Sequence, residues 1–303
     1  MEDIYCEDIH MEQFPVKTEK SREEVLKPIL DKIMTAKEYA NIKHESPFEY
    51  EISNPAGDKK LSYFGAPHCY EAGNPLFARI ESSFKAAQPD IIFIEGMNFH
   101  GDPAILAEQI KRATAEQVIE RMGESGFTMK LAIDNGIEWQ SPEPSDETLY
   151  AHLLKRGFKK KEIFSWELMQ ALAQYSRQEQ KKDFPTYADS YIRDFKEATK
   201  WKGFDYSLES ALKNAEAMAG STIDPESDTD FDIYIDPIPW EKDIDEQSEL
   251  NRISEASSLI RDQHIVTSIA ESLKTHKRPF IVYGSSHAVM QEPALEKLMK
   301  ESG

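Results

Sequence analysis

The chain has 303 residues, 40% hydrophobic and 30% charged, which is enough for a substantial core and does not fit a disordered segment. Its 36 basic against 55 acidic residues leave a formal charge of −19, a field that repels phosphate backbones and argues against nucleic acid as a partner. Two cysteines, Cys6 and Cys69, are too few for a disulfide framework or a structural zinc cluster, and no apolar run approaches the ~20 residues of a membrane span.

The start, Met1-Glu2-Asp3, lacks the basic and apolar regions of a signal peptide, so the chain reads as cytoplasmic; a leader removed ahead of Met1 would make it exported. Residues 1–20 carry little periodicity. Over 21–40, a Ser21-x-x-Glu24 start and apolar Val25, Ile29 and Ile33 predict a helix, which Pro28 either kinks or opens from its first turn. Residues 48–52 and 60–64 read as two strands of a hairpin around Asn54-Pro55-Ala56-Gly57-Asp58.

Beyond the hairpin a helix over 75–87, an apolar strand over 90–95, a helix over 103–122 and a strand over 129–134 alternate. That order predicts an α/β fold, a central, mostly parallel sheet with helices on both faces. Residues 145–240 read as a helical insertion. Its basic run Lys155-Arg156-Gly157-Phe158-Lys159-Lys160-Lys161 fits a helix end, Asp146 and Glu147 fit a helix start, and 224–230 fits a surface loop. Residues 231–235 are either loop or a short strand. A long helix over 247–274, a buried strand over 279–283 and a helix over 290–300 return the chain to the sheet. The expectation is one α/β domain over 1–303, with an N-terminal helical segment at 1–45.

Three strand ends carry the chemistry. In Tyr63-Phe64-Gly65-Ala66-Pro67-His68 an apolar strand opens into a turn bearing an imidazole, and ligands gather at that edge of such sheets. The strand Ile91-Ile92-Phe93-Ile94 ends on Glu95, whose burial would demand a cation, a histidine or a polar pocket. Phe280-Ile281-Val282-Tyr283-Gly284-Ser285-Ser286-His287 repeats strand, glycine and histidine. On the long helix, Arg261 of Arg261-Asp262 could stabilise an anion or orient a carboxylate. Glu143 and Glu138 compete as a further carboxylate, while Gly65, Asn98, Gly284 and Ser285 are candidates to line a substrate pocket. Cys69 has no second feature of a reactive thiol, and neither a Gly-x-Ser-x-Gly elbow nor a Walker A sequence occurs.

These motifs resemble the superfamily that unites Tiki proteins, TraB-like proteins, erythromycin esterases, ChaN-like haem-binding proteins and a Pasteurella-toxin domain. Two Gly-x-x-His elements, an acid closing the next strand and an arginine before the second histidine match Gly65-Ala66-Pro67-His68, Glu95, Arg261 and Gly284-Ser285-Ser286-His287, in order across residues 60–295. Ser141-Pro142-Glu143-Pro144 is similar to a Glu-Pro element that follows the third strand in some members. The resemblance implies hydrolysis of an ester or amide bond in a small-molecule or peptide substrate. His68 would be the general base, aided by Glu95, with Arg261 and His287 on the developing oxyanion. A Tiki-like variant implies that His68, His287 and a carboxylate hold Mn²⁺, Co²⁺ or Zn²⁺. A ChaN-like one implies a pocket for haem or another small ligand, without catalysis.

Overall fold

The computed structural model describes residues 22–96, 103–178, 183–237 and 247–302. At its centre lies a sheet of β1 (Phe48–Ser53), β2 (Lys60–Ala66), β3 (Ile91–Ile94), β4 (Glu138–Gln140) and β5 (Pro279–Gly284), in the order β1-β2-β5-β3-β4. β1 and β2 form the expected antiparallel hairpin, Phe48 opposite Gly65 and Ser53 opposite Lys60; the remaining pairs are parallel. Burial follows from position. β3 is buried at every residue, as a strand covered on both faces must be, whereas the edge strand β1 alternates between half-buried and exposed.

Alternation along the central strands divides the core in two. Phe64, Ile92, Ile94 and Val282 face α3 (Pro75–Ala87), α4 (Pro103–Arg112) and α5 (Ala115–Asn135). Tyr63, Ile91, Phe93 and Ile281 face the other way, toward α11 (Glu249–Ser272) and α12 (Ser285–Glu301), with Ile29 of α1 (Arg22–Leu30). The short α2 (Ala36–Tyr39) is closed at its start by a Thr35–Glu38 capping box.

A third core fills the insertion, built by α6 (Asp146–Lys155), α7 (Lys160–Ser176), α8 (Phe184–Thr199), α9 (Leu208–Ala219) and α10 (Asp232–Ile235). It is rich in aromatic rings, Phe195 lying 4.7 Å from Tyr150 and 5.0 Å from Phe164 between centroids. Leu250, Ile253 and Ile260 in the first part of α11 belong to this core, whereas Ile265, Val266 and Ile269 further along belong to the sheet. At about 1.5 Å per residue α11 is a strut of roughly 36 Å that joins the two. No described helix is long and apolar enough to cross a membrane.

Several expected elements are corrected. Residues 129–134 are not a strand: Thr114 and Gln117 cap α5, which runs to a left-handed Gly136, and the strand beside β3 is β4. A short apolar run reads equally as strand or buried helix. The single helix expected over 103–122 is two, α4 and the start of α5. Residues 232–235 form α10 and not a strand, and the last helix begins at Ser285 rather than near 290. Pro28 lies inside α1, and Ser21 falls outside the described residues.

Gly65 is a packing residue. A Cβ there would lie 2.8 Å from Ala288 Cβ and 2.9 Å from the Phe48 carbonyl oxygen, where β2 passes under α12. Gly65→Ala is expected to cost about 1–3 kcal/mol, read as a lower urea midpoint with unchanged slope.

Candidate active site

Parallel register brings the three strand ends to one edge. Ala66 of β2 stands beside Gly284 of β5, and Ile94 of β3 beside Val282. His68, Glu95 and His287 follow within a few residues, at the carboxyl ends where open α/β sheets place their sites. From the insertion side, α11 lays Arg261 and Asp262 across that edge.

Arg261 gathers the carboxylates. Its Nε donates to Glu143 Oε2 at 2.8 Å and its Nη2 to Glu143 Oε1 at 2.7 Å, a two-pronged pair; Nη2 also reaches Glu95 Oε1 at 3.4 Å. Burial would raise the Glu143 pKa, but the guanidinium outweighs it and holds the carboxyl below its ordinary value. Burial opposes the charge on Arg261 too, and Glu143 and Glu95 more than restore it. Glu95 has a second task, for its Oε2 accepts the Gly284 N–H at 2.6 Å, so a carboxylate sits at the start of α12 where unpaired amides and the helix dipole favour negative charge.

Both histidines are held by buried acids. His287, in the first turn of α12, has its Nδ1 2.6 Å from Asp262 Oδ1. An ionised carboxylate only accepts, so Nδ1 carries the proton and Nε2 is left, 3.8 Å from Glu95 Oε1 and too far for a hydrogen bond. Gln291 Nε2 donates to the same Asp262 oxygen at 2.7 Å and takes a bond from Tyr63 at 3.2 Å through its own Oε1, fixing the acid from behind. Asp262 Oδ2 meets no partner among the described residues. Burial pulls the His287 pKa down, but Asp262 and Glu95 together carry it above the ordinary value.

His68 repeats the arrangement on the other face. Its Nδ1 donates to Glu124 Oε1 at 2.7 Å, while Glu124 Oε2 accepts the Cys69 N–H at 3.1 Å. Gly123 makes this approach possible: its φ of +57 breaks the helical path inside α5, and a Cβ would lie 2.9 Å from the Cys69 carbonyl oxygen. The Glu124 hydrogen bond raises the His68 pKa against its partial burial. Glu124 is 6% exposed at its side chain and His68 67%, so the acid is buried and the imidazole open to water.

Beside this cluster lies a cavity of about 450 Å³, bounded by Glu143, Arg261, Ser286 and His287 on one side and by Asp146, Glu167 and Gln170 of the insertion on another. Glu95 and His68 stand outside its lining. Of the other expected residues, Ser285 is turned away, donating to the Gly65 carbonyl at 2.9 Å. Gly284 spends its N–H on Glu95 and cannot offer it to a substrate. Glu138 is at the far end of the sheet, paired in register with Ile91 and 3.5 Å from His276. Asn98 lies outside the described residues.

The donor set does not fit the Mn²⁺, Co²⁺ or Zn²⁺ expectation. Among the described residues no three His, Cys, Asp or Glu side chains converge as a metal-holding group, and a divalent cation near Glu95 would face the Arg261 guanidinium that already neutralises it. Haem is no better matched, because the cavity walls bear the carboxyl groups of Glu143, Asp146 and Glu167 rather than an apolar slot.

Three supporting residues went unread in the sequence: Asp262, Gln291 and Glu124. Two had a signal. Asp262 stands three, four and seven positions before Ile265, Val266 and Ile269, a carboxylate on the buried stripe of its own helix, and Gln291 follows His287 by one helical turn. Glu124 is marked only by the glycines around it.

Removing Arg261 should leave two acids without their cation. Arg261→Met is expected to lower stability by about 3–5 kcal/mol, with Arg261→Lys recovering only part because an ammonium cannot make the two-pronged pair. Denaturant titration of the three proteins tests this, and an unchanged Arg261→Met midpoint would show the cluster to be inessential.

The chain matches no family model, no curated protein and no solved structure, so its resemblance to the Tiki, TraB and erythromycin-esterase superfamily rests on its motifs and their order.

Proposed function

We propose that the chain is a hydrolase of ester or amide bonds that needs no metal. The observation that carries this reading is the pair of histidine–carboxylate dyads at one sheet edge, each holding Nδ1 and leaving Nε2 to act. Their surroundings differ as the two roles require. The exposed His68 meets water and acts as base; His287, 11% exposed at its side chain and flanked by Asp262 and Glu95, is the one kept cationic and acts as donor.

In the proposed reaction a water oxygen adds to the substrate carbonyl carbon as its proton passes to His68 Nε2. The carbonyl π pair moves onto oxygen, and the oxyanion accepts from protonated His287 Nε2 and from Arg261 Nη1, which carries no hydrogen bond to a described residue. Collapse restores the carbonyl, breaks the C–O or C–N bond and returns the proton from His68 to the departing atom. Glu124 and Asp262 orient their rings and stabilise the imidazolium forms without taking the proton themselves. Glu95 and Glu143 hold Arg261 in place, so they are positioning residues.

A panel of activated esters and aminoacyl amides finds a working substrate, and single variants then test the roles. His68→Ala should lose about 10²–10⁴-fold in kcat/KM while its thermal midpoint barely moves. Undiminished turnover there would refute the mechanism. The pH profile adds a second test. A base must be neutral, and His68 is shifted upward, so activity should rise through a pKa above about 6.5; Glu124→Gln removes the main cause and should move that limb to lower pH. A donor must be protonated, so activity should fall as pH climbs through the raised His287 pKa, and Asp262→Asn should bring that fall to lower pH as well. Limbs that stay in place in both variants would disconnect the dyads from catalysis.

A further inference from the structure

A second cavity, of about 280 Å³, adjoins the first. Its lining is mainly apolar, with Met34, Ala36, Tyr39, Leu259 and Met290 from α2, α11, α12 and the turn before α2, and it also carries Asp236 and Glu255. The two cavities share Pro237, Ser258 and Ser286, and Ser286 is the chain neighbour of His287. A molecule that fills both must therefore pass Ser286, with the His287 imidazole in the lining of the first cavity. The balance of polarity differs between them: Glu143, Asp146, Glu167, Gln170 and Arg261 line the first, while Met34, Ala36, Leu259 and Met290 give the second its larger apolar share beside Asp236 and Glu255.

We propose that the two cavities are the two arms of one substrate cleft, the apolar arm taking an unbranched acyl chain and the polar arm the alcohol or amine that departs. This deepens the hydrolase reading and rests on it. The substrate class is then an acyl ester or amide of a polar alcohol or amine. At about 30 Å³ for a group the size of a water or methylene, the apolar arm admits up to roughly eight carbons. The direction of the substrate follows from solvation: a polar alcohol or amine on its way to water is matched by Asp146, Glu167 and Gln170 of the polar arm, and an acyl chain by the aliphatic side chains of the other. The acyl product would leave its carboxylate at the junction, within the field of Arg261 and His287.

The test uses the full chain and two readouts. Calorimetric titration with straight-chain carboxylates from butyrate to decanoate reports binding alone; hydrolysis of p-nitrophenyl esters of the same acids, with the acetate ester as reference, reports turnover. Each methylene should tighten binding about three- to fourfold as far as the octanoate and little beyond it, with kcat/KM following the same ladder. Leu259→Trp, which fills the apolar arm, should flatten both ladders. Should that variant fail to fold, Met290→Ala widens the same arm and should extend the ladder by a carbon or two. Binding that climbs and is flattened by Leu259→Trp, with no ester turned over, supports the cleft and removes the hydrolase. Turnover with binding indifferent to chain length, or to both variants, leaves the hydrolase and overturns the cleft.

Discussion

A guanidinium held between two largely buried carboxylates is the contact on which the arrangement of this molecule depends. Arg261 is 29% exposed at its side chain, Glu95 14% and Glu143 8%, so none of the three charges is well solvated and each needs the others. Glu95 belongs to the end of β3, Glu143 to the segment between β4 and α6, and Arg261 to α11. Glu95 also grips the start of α12, and Glu143 accepts the Gly96 N–H at 3.3 Å. Separating any of these elements would strand a buried charge, which costs more than the pairing itself contributes. The ion cluster thus fixes how the helical insertion meets the sheet.

The same constraint sets the rotation of α11. Consecutive residues on a helix point about 100° apart, so with Arg261 committed to the sheet-edge acids, Asp262 is turned to α12 and meets His287. Either placement fixes the other. Further along, His264 Nδ1 lies 2.8 Å from the Pro142 carbonyl oxygen, tying the same helix to the segment that carries Glu143. Structural and chemical tasks overlap here, because the helix that ties insertion to sheet also supplies the acid behind a proposed catalytic imidazole.

Much of the fold was legible because it rests on local patterns. The runs ending at Ala66, Ile94 and Gly284 announced strands buried on both faces, and the 75–87 helix carries its own Asn74 cap and first-turn Pro75. The misread strand at 129–134 had no such mark, since Met129 and Ala132 are buried in a spacing that a strand or a helix could show over so short a run. The resemblance singled out Glu95, Arg261 and His287, and the structure brings these together. It gave Glu95 to His68, however, where the nearer acid is Glu124. That residue is 56 positions away in sequence, and its approach depends on a glycine-permitted break in α5 that no periodicity announces. Long-range partners chosen by backbone geometry leave little trace in a single sequence.

Charge balance at the sheet edge explains why both imidazoles are shifted the same way and yet suit different roles. Glu95, Glu124, Glu143 and Asp262 stand against one permanent cation, Arg261, so the local field favours protonated histidine at both strand ends. Exposure then separates them. Water around His68 screens the field, and in the proposed reaction it would supply the nucleophile while this ring takes up and returns a proton. At His287 the medium is drier, and Asp262 Oδ1 serves both the ring and Gln291 while its Oδ2 meets no described residue, so the buried carboxylate acts on the ring with little screening. A like pair of dyads in equal surroundings would compete for one role; with one buried and the other open, the same side chain could serve the proposed reaction as both base and donor.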